Sequence, residues 1–411
     1  QNLRLVLLTA NPMFNQPNEI IWILNMLLLN DNRPMIYESD IFHTDTDGIG
    51  GRSLTNEGVA YLKKKCQGYV SYVRGENPVS FPMRLYPETE VPDPGFHLVG
   101  KEGNTNGTLA SRSFIDPFGY ETNLTFLQLY SSYLEGEQLE VYDEILGECS
   151  DNTAFRIQDE TKLLQVGNMV YPKVGEGPVP IHERYGEAGF DACFRSAKGP
   201  VYTYIGPPSE EGFLDIDYIG NYSQKMKQIL MSIQQSQGIV FIYTNWIKGG
   251  LLPLLIALEY NGYKKYDKRS ILNSKVKREP MSYDGYTAKD HPVPSSFQQG
   301  SYMVVSAVDG LTPKFEDELK VLTSEENKDG EKIKIVIGST VAAEGLDFKN
   351  IRSIHILEPW HNLNKLEQVI GRGVRNCSHK MLDEADRNVT IYLHNAMIQE
   401  RGVDRGTLDT Y

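Results

Sequence analysis

The sequence is poor in cysteine and lacks any long apolar run. Its four cysteines, Cys66, Cys149, Cys193 and Cys377, are widely spaced and show no paired spacing for zinc. This pattern excludes a disulfide-rich scaffold and favours a reducing, cytosolic type of compartment. No run of about 18 apolar residues occurs, so the sequence predicts no membrane-spanning helix.

The sequence also lacks a charged and apolar leader, so no signal peptide is visible. Residues 3–8, LRLVLL, predict an apolar strand, which is followed by a Thr-Ala-Asn-Pro turn and a helix over about residues 17–29. A single strand and helix cannot bury both of their faces. We therefore expect this pair to complete a sheet formed by upstream residues, and the N-terminal part of a larger protein to be missing.

Positive charge is in the minority, because the formal net charge is −13 at pH 7. Such a chain is not expected to bind nucleic acid over its whole surface, but a local basic groove is compatible with this charge. The strongest local excess of positive charge lies in residues 264–278 and includes Lys264, Lys265, Lys268 and Arg269. Two interpretations stay open for this segment: a nucleic-acid groove with interleaved tyrosines, and a solvated surface loop.

The pattern of apolar, polar and turn-forming residues changes along the chain. Residues 1–45 contain the strand and helix described above. Residues 46–216 begin within a polar, glycine-rich linker (about residues 31–58) and continue as an irregular segment with one helical stretch at residues 124–146. From residue 217 to 411, short buried strands alternate with helices, which predicts βαβ units and a parallel sheet. We therefore expect an α/β fold with functional residues in loops at the carboxyl ends of strands.

A strand and a tight turn meet in residues 332–348, KIKIVIGSTVAAEGLDF. Ser339 and Thr340 leave the strand with exposed backbone N–H and hydroxyl donors that suit a phosphate. Glu344, Gly345 and Asp347 then place carboxylates beside a flexible glycine. The alternative for this segment alone is a plain strand and turn with a solvated aspartate.

A second basic pattern, QVIGRGVRN, follows after one intervening strand. On a predicted helix, Gln368, Arg372 and Arg375 are spaced i, i+4 and i+7 and share one face. Two guanidinium groups on one face repel each other unless an anion or a carboxylate lies between them, and their forked donors suit phosphate. Gly371 and Gly373 are expected to let another backbone or a ligand approach the helix.

The order of these segments resembles the second RecA-like domain of a superfamily-two helicase. GSTVAAEGLDF resembles motif V, QVIGRGVR resembles motif VI, and GIVFIYTNW resembles motif IV. LVLLTANPM resembles motif III, with Asn11 where the family more often has threonine. The resemblance implies that residues 1–45 are a remnant of the first RecA-like domain, 46–216 a linker and an inserted irregular domain, and 217–411 the second RecA-like domain.

Two further stretches, GYVSYVRGENPVSFPMRLYP and RYGEAGFDACF, are similar to helicases of large nucleocytoplasmic DNA viruses. These include the poxvirus early-transcription-factor small subunit and nucleoside triphosphatase group, and asfarvirus and mimivirus relatives. The similarity implies a role in viral transcription, in early initiation, or in replication. It also implies a location in the host cytoplasm or viral factory, with packaging in the virion as a further expectation.

The resemblance assigns roles to residues of motifs V and VI. Arg372 and Arg375 would act as arginine fingers on the γ-phosphate of ATP, with Gln368 beside them. Asp347 would lie near the ribose or the fingers. The nucleotide-binding set is Glu344, Gly345 and Asp347.

The resemblance also assigns contacts with nucleic acid. Ser339 and Thr340 would contact the backbone of the tracked strand, with Thr244 and Asn245 of motif IV at a comparable position. Such phosphate contacts carry no sequence information, as expected of a motor. In motif III, Thr9 and Ala10 would couple the nucleotide to the nucleic acid.

The sequence contains no G-x-x-x-x-G-K-[ST] loop for phosphates. The tetrapeptide DEAD at residues 383–386 follows motif VI and no buried strand, so we predict a solvated helical stretch there and no metal site. ATP and Mg²⁺ would be bound mainly by a missing N-terminal RecA-like lobe, and the chain alone is expected to be inactive. Expected partners are that lobe, DNA or RNA, and viral RNA polymerase or transcription-factor subunits, but no membrane. The alternative is a non-catalytic RecA-fold scaffold that binds DNA within a transcription complex.

Overall fold

The computed structural model describes most of the chain between residues 4 and 406. The described ranges are 4–8, 18–44, 52–71, 80–87, 96–99, 113–115, 121–123, 129–150, 157–175, 177–196, 199–274, 277–340, 346–358, 363–400 and 403–406. Within these ranges, no helix has the length and apolar character that crossing a bilayer requires. Contacts divide the chain into two compact units, Gln1–Asn77 with Asn362–Glu367, and Pro78–His361 with Gln368–Tyr411. The three-part division stays a prediction.

The first unit is built around two helices and a small hairpin. Its elements are helix α1 (Glu19–Asn30), a 3-10 turn (Glu38–Asp40), antiparallel strands β1 (Phe42–Thr44) and β2 (Arg52–Leu54), and helix α2 (Asn56–Cys66). The predicted helix over residues 17–29 is confirmed by α1. The linker prediction for residues 31–58 is wrong in part, since this hairpin and the start of α2 lie within it.

The strand predicted at residues 3–8 is wrong for the part of it that the structure describes. Residues 4–8 have no regular secondary structure, and the side chains of Val6 and Leu8 are 75% and 93% exposed. A strand needs backbone partners on at least one edge, and no backbone hydrogen bond joins residues 4–8 to another described residue.

The N-terminal part of the second unit is mixed in secondary structure. Its elements are β3 (Met83–Leu85), β4 (Phe96–Val99), β5 (Ser113–Ile115), β6 (Glu121–Asn123), β7 (Leu129–Tyr133), α3 (Gly136–Ser150), α4 (Ile157–Asn168), α5 (Gly186–Cys193), β8 (Phe194–Ser196) and β9 (Tyr202–Tyr204). The helix predicted over residues 124–146 is therefore wrong for residues 129–133, which form β7, and residues 124–128 lie outside the described residues. All five residues of β7 are buried, and α3 begins three residues after this strand at Gly136, whose φ of 53° suits glycine.

The C-terminal part of the second unit alternates strands and helices, as predicted. Its elements are α6 (Gln224–Gln235), β10 (Ile239–Tyr243), a π-helical turn (Ile247–Leu251), α7 (Leu252–Tyr260), β11 (Lys264–Lys265), β12 (Ser301–Val305), α8 (Phe315–Leu322), β13 (Ile335–Gly338), β14 (Ile351–Ile356), α9 (Leu363–Gly373, of which this unit holds the part from Gln368 on), β15 (Asn388–Glu400) and β16 (Val403–Gly406). Helix α6 begins where the Ser223 hydroxyl accepts from the Met226 N–H at 3.1 Å.

The central sheet is parallel over the order β11-β12-β13-β10-β14-β15. Every residue of β10, β12 and β13 is buried, which fits a parallel sheet covered on both faces. The predicted α/β fold is confirmed, and it is consistent with a RecA-like second lobe. Strands β10 and β13 are neighbours, so the loops after Tyr243 and Gly338 leave the same edge of the sheet.

Strand β15 joins the segment before residue 217 to this sheet. Its first half pairs with β14 and β3, and its second half pairs in parallel with β7 and antiparallel with β16. Helices α3, α4 and α5 share one apolar core with α6 and α7, through residues such as Tyr142, Val166, Phe190, Ile229 and Leu255. Much of the described segment before residue 217 therefore packs as part of the second unit.

Candidate functional site

Helix α9, which carries the motif VI sequence, packs closely on strand β14 at its C-terminal end. A Cβ atom at Gly373 would meet Ile354 Cδ1 at 3.0 Å and Ile351 Cβ at 3.2 Å, whereas at Gly371 it would meet open space. The two glycines were predicted to have the same role, and the structure gives them different ones. Gly373 allows the helix to approach its own sheet, and only Gly371 leaves room on the outer surface of the helix.

Two of the three predicted catalytic residues share one face of the helix, as predicted. Gln368 and Arg372 lie on α9, and both are partly exposed. The helix ends at Gly373, so Arg375 lies beyond it, and the prediction that all three share one helical face is wrong. The turn after the helix, where Val374 N–H donates to Ile370 O at 3.0 Å, positions Arg375 instead.

Both arginines contact consecutive residues of the motif V loop. Arg372 Nη1 donates to the Leu346 carbonyl at 3.1 Å, and the Phe348 N–H donates to the Arg372 carbonyl at 3.3 Å. Arg375 Nη1 lies 3.4 Å from Asp347 Oδ1. Motifs V and VI therefore form one connected surface, and the carboxylate expected near the guanidinium groups is Asp347.

The Arg375–Asp347 pair is exposed and weakly held. The two side chains are 40% and 58% exposed, and exposed ion pairs contribute about 0–1 kcal/mol. Arg375 Nε donates to the Gly371 carbonyl at 2.9 Å, and within the described residues its Nη2 has no hydrogen-bond partner. One edge of the guanidinium can therefore accept an anion without breaking a strong interaction. This geometry fits a phosphate oxygen.

The Ser-Thr turn after β13 is only partly accessible. Ser339 is 2% exposed and its N–H donates to the Val305 carbonyl at 3.1 Å, so the expectation of an exposed N–H donor there is wrong. Thr340 is exposed. Of these two residues, Thr340 is the one whose side chain a nucleic-acid strand can reach in this structure.

The motif IV residues Thr244 and Asn245 bind a buried glutamate that the sequence did not single out. Glu358, which follows β14, is 2% exposed and accepts from the Thr244 hydroxyl at 2.6 Å and from the Asn245 N–H at 2.8 Å. Thr244 is fully buried, so a contact between its hydroxyl and nucleic acid would require the bond to Glu358 to break. Asn245 is partly exposed.

Two further buried polar residues complete this network. Asn168 Nδ2 donates to Glu358 Oε1 at 2.5 Å, and Lys225 Nζ donates to Asn168 Oδ1 at 3.4 Å and to the Leu357 carbonyl at 3.0 Å. Burial raises the pKa of Glu358, and the bonds from Thr244 and Asn245 and the charge of Lys225 oppose this rise. The only sequence signal was a glutamate directly after a buried strand; nothing in the sequence singled out Asn168 or Lys225.

The basic segment around strand β11 is divided between paired and unpaired cations. Lys265 Nζ lies 2.6 Å from Asp267 Oδ2, with both side chains 2% exposed, and Arg269 Nε lies 3.0 Å from the same atom. Lys264 is partly exposed and Lys268 is exposed. Lys265 is thus committed to a buried ion pair, while Lys264 and Lys268 remain accessible. The nucleic-acid role of all four residues stays a prediction.

Four predicted site residues, Glu344, Gly345, Thr9 and Ala10, lie outside the described residues. The DEAD tetrapeptide forms an exposed 3-10 turn over Glu384–Asp386, as the predicted solvated helical stretch required. Asp386 Oδ1 there lies 3.1 Å from Arg352 Nη1. Among the described residues, no group of three or more histidine, cysteine or acidic side chains is arranged to hold a metal ion.

Comparison with known proteins identifies the segment that contains motifs V and VI. Residues 289–377 match the family model described as "Helicase conserved C-terminal domain". The chain carries a helicase C-terminal domain. The resemblance of motifs V and VI to a superfamily-two helicase is thereby confirmed.

Curated relatives come from large DNA viruses, as predicted. Two proteins of Acanthamoeba polyphaga mimivirus, provisionally named as ATP-dependent RNA helicases, are similar to this chain. One is 26% identical over 405 residues, covering 96% of this chain and 55% of the relative. The other is 27% identical over 432 residues, covering 92% and 34%. The "Early transcription factor large subunit homolog" of African swine fever virus, strain Badajoz 1971 Vero-adapted, is 26% identical over 415 residues, covering 97% and 34%.

The chain spans only about a third to a half of the length of these relatives. Their similarity extends over more than nine tenths of this chain, beyond the helicase C-terminal domain itself. The African swine fever virus relative is named for the large subunit of the early transcription factor, whereas the sequence resemblance was drawn to the poxvirus small subunit. A helicase-like viral function follows from these comparisons at the level of the family.

Proposed function

We propose that this chain is the C-terminal part of an ATP-dependent helicase or translocase of a large DNA virus, acting on nucleic acid during viral transcription or replication. The observation that carries the proposal is the contact of Arg372 and Arg375 with the consecutive loop residues Leu346 and Asp347. This arrangement joins the two sequence motifs that would face a nucleotide. The host cytoplasm or viral factory is the proposed location, with packaging in the virion as part of that proposal.

The proposed role of Arg375 is to stabilise negative charge on a transferred phosphoryl group. Its guanidinium is partly exposed, and it can exchange the weak pair with Asp347 for a phosphate oxygen. Arg372 is held by the Leu346 carbonyl, which orients its side chain toward the same loop. ATP with Mg²⁺ would supply the phosphoryl group and the metal charge, bound mainly by an N-terminal RecA-like lobe. Because the 411 residues contain no Walker A loop, we expect no robust ATPase activity from them alone.

The proposed track for nucleic acid lies at the carboxyl edge of the sheet. Thr340 follows β13 and Asn245 follows the neighbouring strand β10, so both leave the sheet on the same side. Their accessible polar groups suit phosphate oxygens, which carry no sequence information. The buried Glu358 network would hold the Asn245 loop in place, because Glu358 accepts the Asn245 N–H.

A non-catalytic scaffold is the second candidate, and one observation favours it. Both arginines already have local partners, a backbone carbonyl for Arg372 and a carboxylate for Arg375, as expected of residues that only stabilise the domain. In that case the domain would bind nucleic acid or a transcription complex without hydrolysing nucleotide.

The full-length protein separates these two candidates. We expect Arg375→Ala to lower the kcat of nucleic-acid-stimulated ATP hydrolysis by about 10³-fold or more, as for arginine fingers elsewhere, with little change in nucleic-acid affinity. Arg195→Ala, at an exposed arginine of β8 outside every predicted site, is the matched control and should leave kcat within about twofold. An equal loss of kcat and nucleic-acid affinity in Arg375→Ala would contradict the finger role. Wild-type protein without ATPase activity would favour the scaffold.

A further inference from the structure

A small pocket of about 220 Å³ lies beside the edge strand β11. Its polar lining includes Glu259, Tyr263, Lys264, Lys268, Ser270 and Lys277. None of its lining residues belongs to the segments of motifs IV, V or VI. The volume is below the roughly 300–1,000 Å³ of sites for drug-sized ligands, so the pocket suits a single small group.

Among the described residues that line the pocket, Glu259 is the one with a carboxylate, and both of its oxygens accept from donors. Glu259 is 3% exposed, and Lys277 Nζ lies 3.3 Å from its Oε2. It also accepts from the Ile271 N–H at 2.9 Å, the Leu272 N–H at 3.1 Å, the Tyr302 hydroxyl at 2.8 Å and the Ser270 hydroxyl. A carboxylate with this many donors cannot also neutralise the other cations of the pocket.

The two remaining lysines of the pocket lack acidic partners. Arg278, which also lines the pocket, is bound to Asp215 and Asp217, and Lys265 is bound to Asp267. Within the described residues, no carboxylate lies within 4.0 Å of the Lys264 or the Lys268 ammonium. The pocket therefore presents two uncompensated positive charges.

The Tyr263 side chain also lines the pocket, but its hydroxyl is enclosed. Tyr263 is 3% exposed, and among the described residues its hydroxyl has no hydrogen-bond partner. An enclosed oxygen cannot contact a ligand in the pocket, so the positive charge that a ligand meets comes from the two lysines.

We infer that this pocket binds a terminal phosphate group, held by the Lys264 and Lys268 ammonium groups. A terminal phosphate carries up to two negative charges, which match the charges of these two lysines. The small volume admits the end of a chain or a free phosphate, and an internal phosphodiester would need room for chain on both sides. The site is separate from the proposed nucleotide-binding surface, and it does not depend on ATP hydrolysis.

Binding of inorganic phosphate to the full-length protein tests the site, measured by calorimetry with any ATP site blocked by a non-hydrolysable ATP analogue. Lys264→Gln/Lys268→Gln should weaken phosphate binding by at least about tenfold, because two charge-assisted bonds are lost. Lys314→Gln/Lys320→Gln, which removes the same charge from exposed positions on the same unit, is the matched control and should bind as wild type. Tyr263→Phe removes only the enclosed hydroxyl of the pocket wall and should bind phosphate as wild type.

A second measurement distinguishes the two sources of a terminal phosphate. A short fluorescent single-stranded oligonucleotide is compared with and without a 5′ phosphate, by anisotropy, in the same variants. Tighter binding of the phosphorylated strand, lost in Lys264→Gln/Lys268→Gln, assigns the pocket to a strand end; binding of inorganic phosphate alone assigns it to a free phosphate. The inference fails if neither probe binds, if only the backbone of the unphosphorylated strand depends on these lysines, or if the control variant weakens binding equally.

Discussion

Replacing Glu358 by glutamine would test whether the buried network beneath motif IV is held by a charge. The carboxylate accepts from Asn168 Nδ2, the Thr244 hydroxyl and the Asn245 N–H. Thr244 Oγ1 accepts a hydrogen bond from the Trp246 N–H at 3.3 Å. The Thr244 hydroxyl therefore uses its own proton to donate to Glu358. With donors on both carboxylate oxygens and Lys225 close by, we expect Glu358 to be ionised in the fold although burial raises its pKa.

The expected cost of Glu358→Gln follows from these contacts. The glutamine amide NH₂ replaces one acceptor oxygen by a donor, so it must face at least one N–H or O–H donor. One or two hydrogen bonds to a charged acceptor are lost, each contributing about 1.5–3 kcal/mol, and Lys225 loses its charge partner. We therefore expect a loss of about 3–5 kcal/mol. For a unit of roughly 330 residues, this corresponds to a fall of about 4–7 °C in the unfolding temperature.

The assay is thermal unfolding at pH 7.5, followed by near-ultraviolet circular dichroism and by differential scanning fluorimetry. Glu325→Gln, at an exposed glutamate in the same unit, is the matched control and should leave the unfolding temperature unchanged. If Glu358→Gln unfolds within about 1 °C of wild type, the carboxyl group is neutral in the fold, and the charge-based account of the network is wrong.

Two further predictions concern packing and pH. Gly371→Ala should raise the free energy of unfolding by about 0.5–1 kcal/mol, because alanine favours a helix and its Cβ meets open space. Gly373→Ala should lower the free energy of unfolding by about 1–3 kcal/mol, because its Cβ presses on β14. Chemical unfolding of both variants checks the difference in sign. Burial lowers the pKa of His355 to about 3, that of His379 to about 4, and that of His394 far below its usual value. Below pH 6.5 the unfolded chain therefore binds more protons than the folded chain. The free energy of unfolding should therefore be highest above about pH 6.5 and fall with decreasing pH, by about 1.4 kcal/mol per pH unit for each histidine. An unfolding temperature that stays constant from pH 7.5 to 5 would contradict this assignment.

The alternating half of the fold could be predicted because its local and global signals agree. Strands such as residues 239–243 are short and consist of β-branched and aromatic residues, and these features suit a central strand of a parallel sheet. The order of motifs V and VI also predicted their proximity. The contact of Arg375 with Asp347 required only that two loops leave neighbouring regions of one sheet.

The remaining features depend on partners that are distant in sequence. Residues 129–133 are part of a stretch with helical periodicity, and their strand forms because β15 offers a free edge 264 residues later, where Ser131 bonds to Asn395. The end of α9 at Gly373 removed Arg375 from the predicted face because the helix stops where it meets β14. Asn168 and Lys225 were missed because a buried polar residue shows its role only through its partner, here Glu358.

Strand β15 pairs with β3 and β7, which come before residue 217, and this pairing limits how far the chain can be shortened from its N-terminal side. A shortened chain that began at residue 217 would keep every helicase motif from IV to VI and would look complete by sequence. It would nevertheless lose β3 and β7, and so expose backbone N–H and C=O groups along both halves of a long strand. Strand edges of that kind recruit other chains, so we expect such a truncation to aggregate, and soluble versions should begin no later than residue 78.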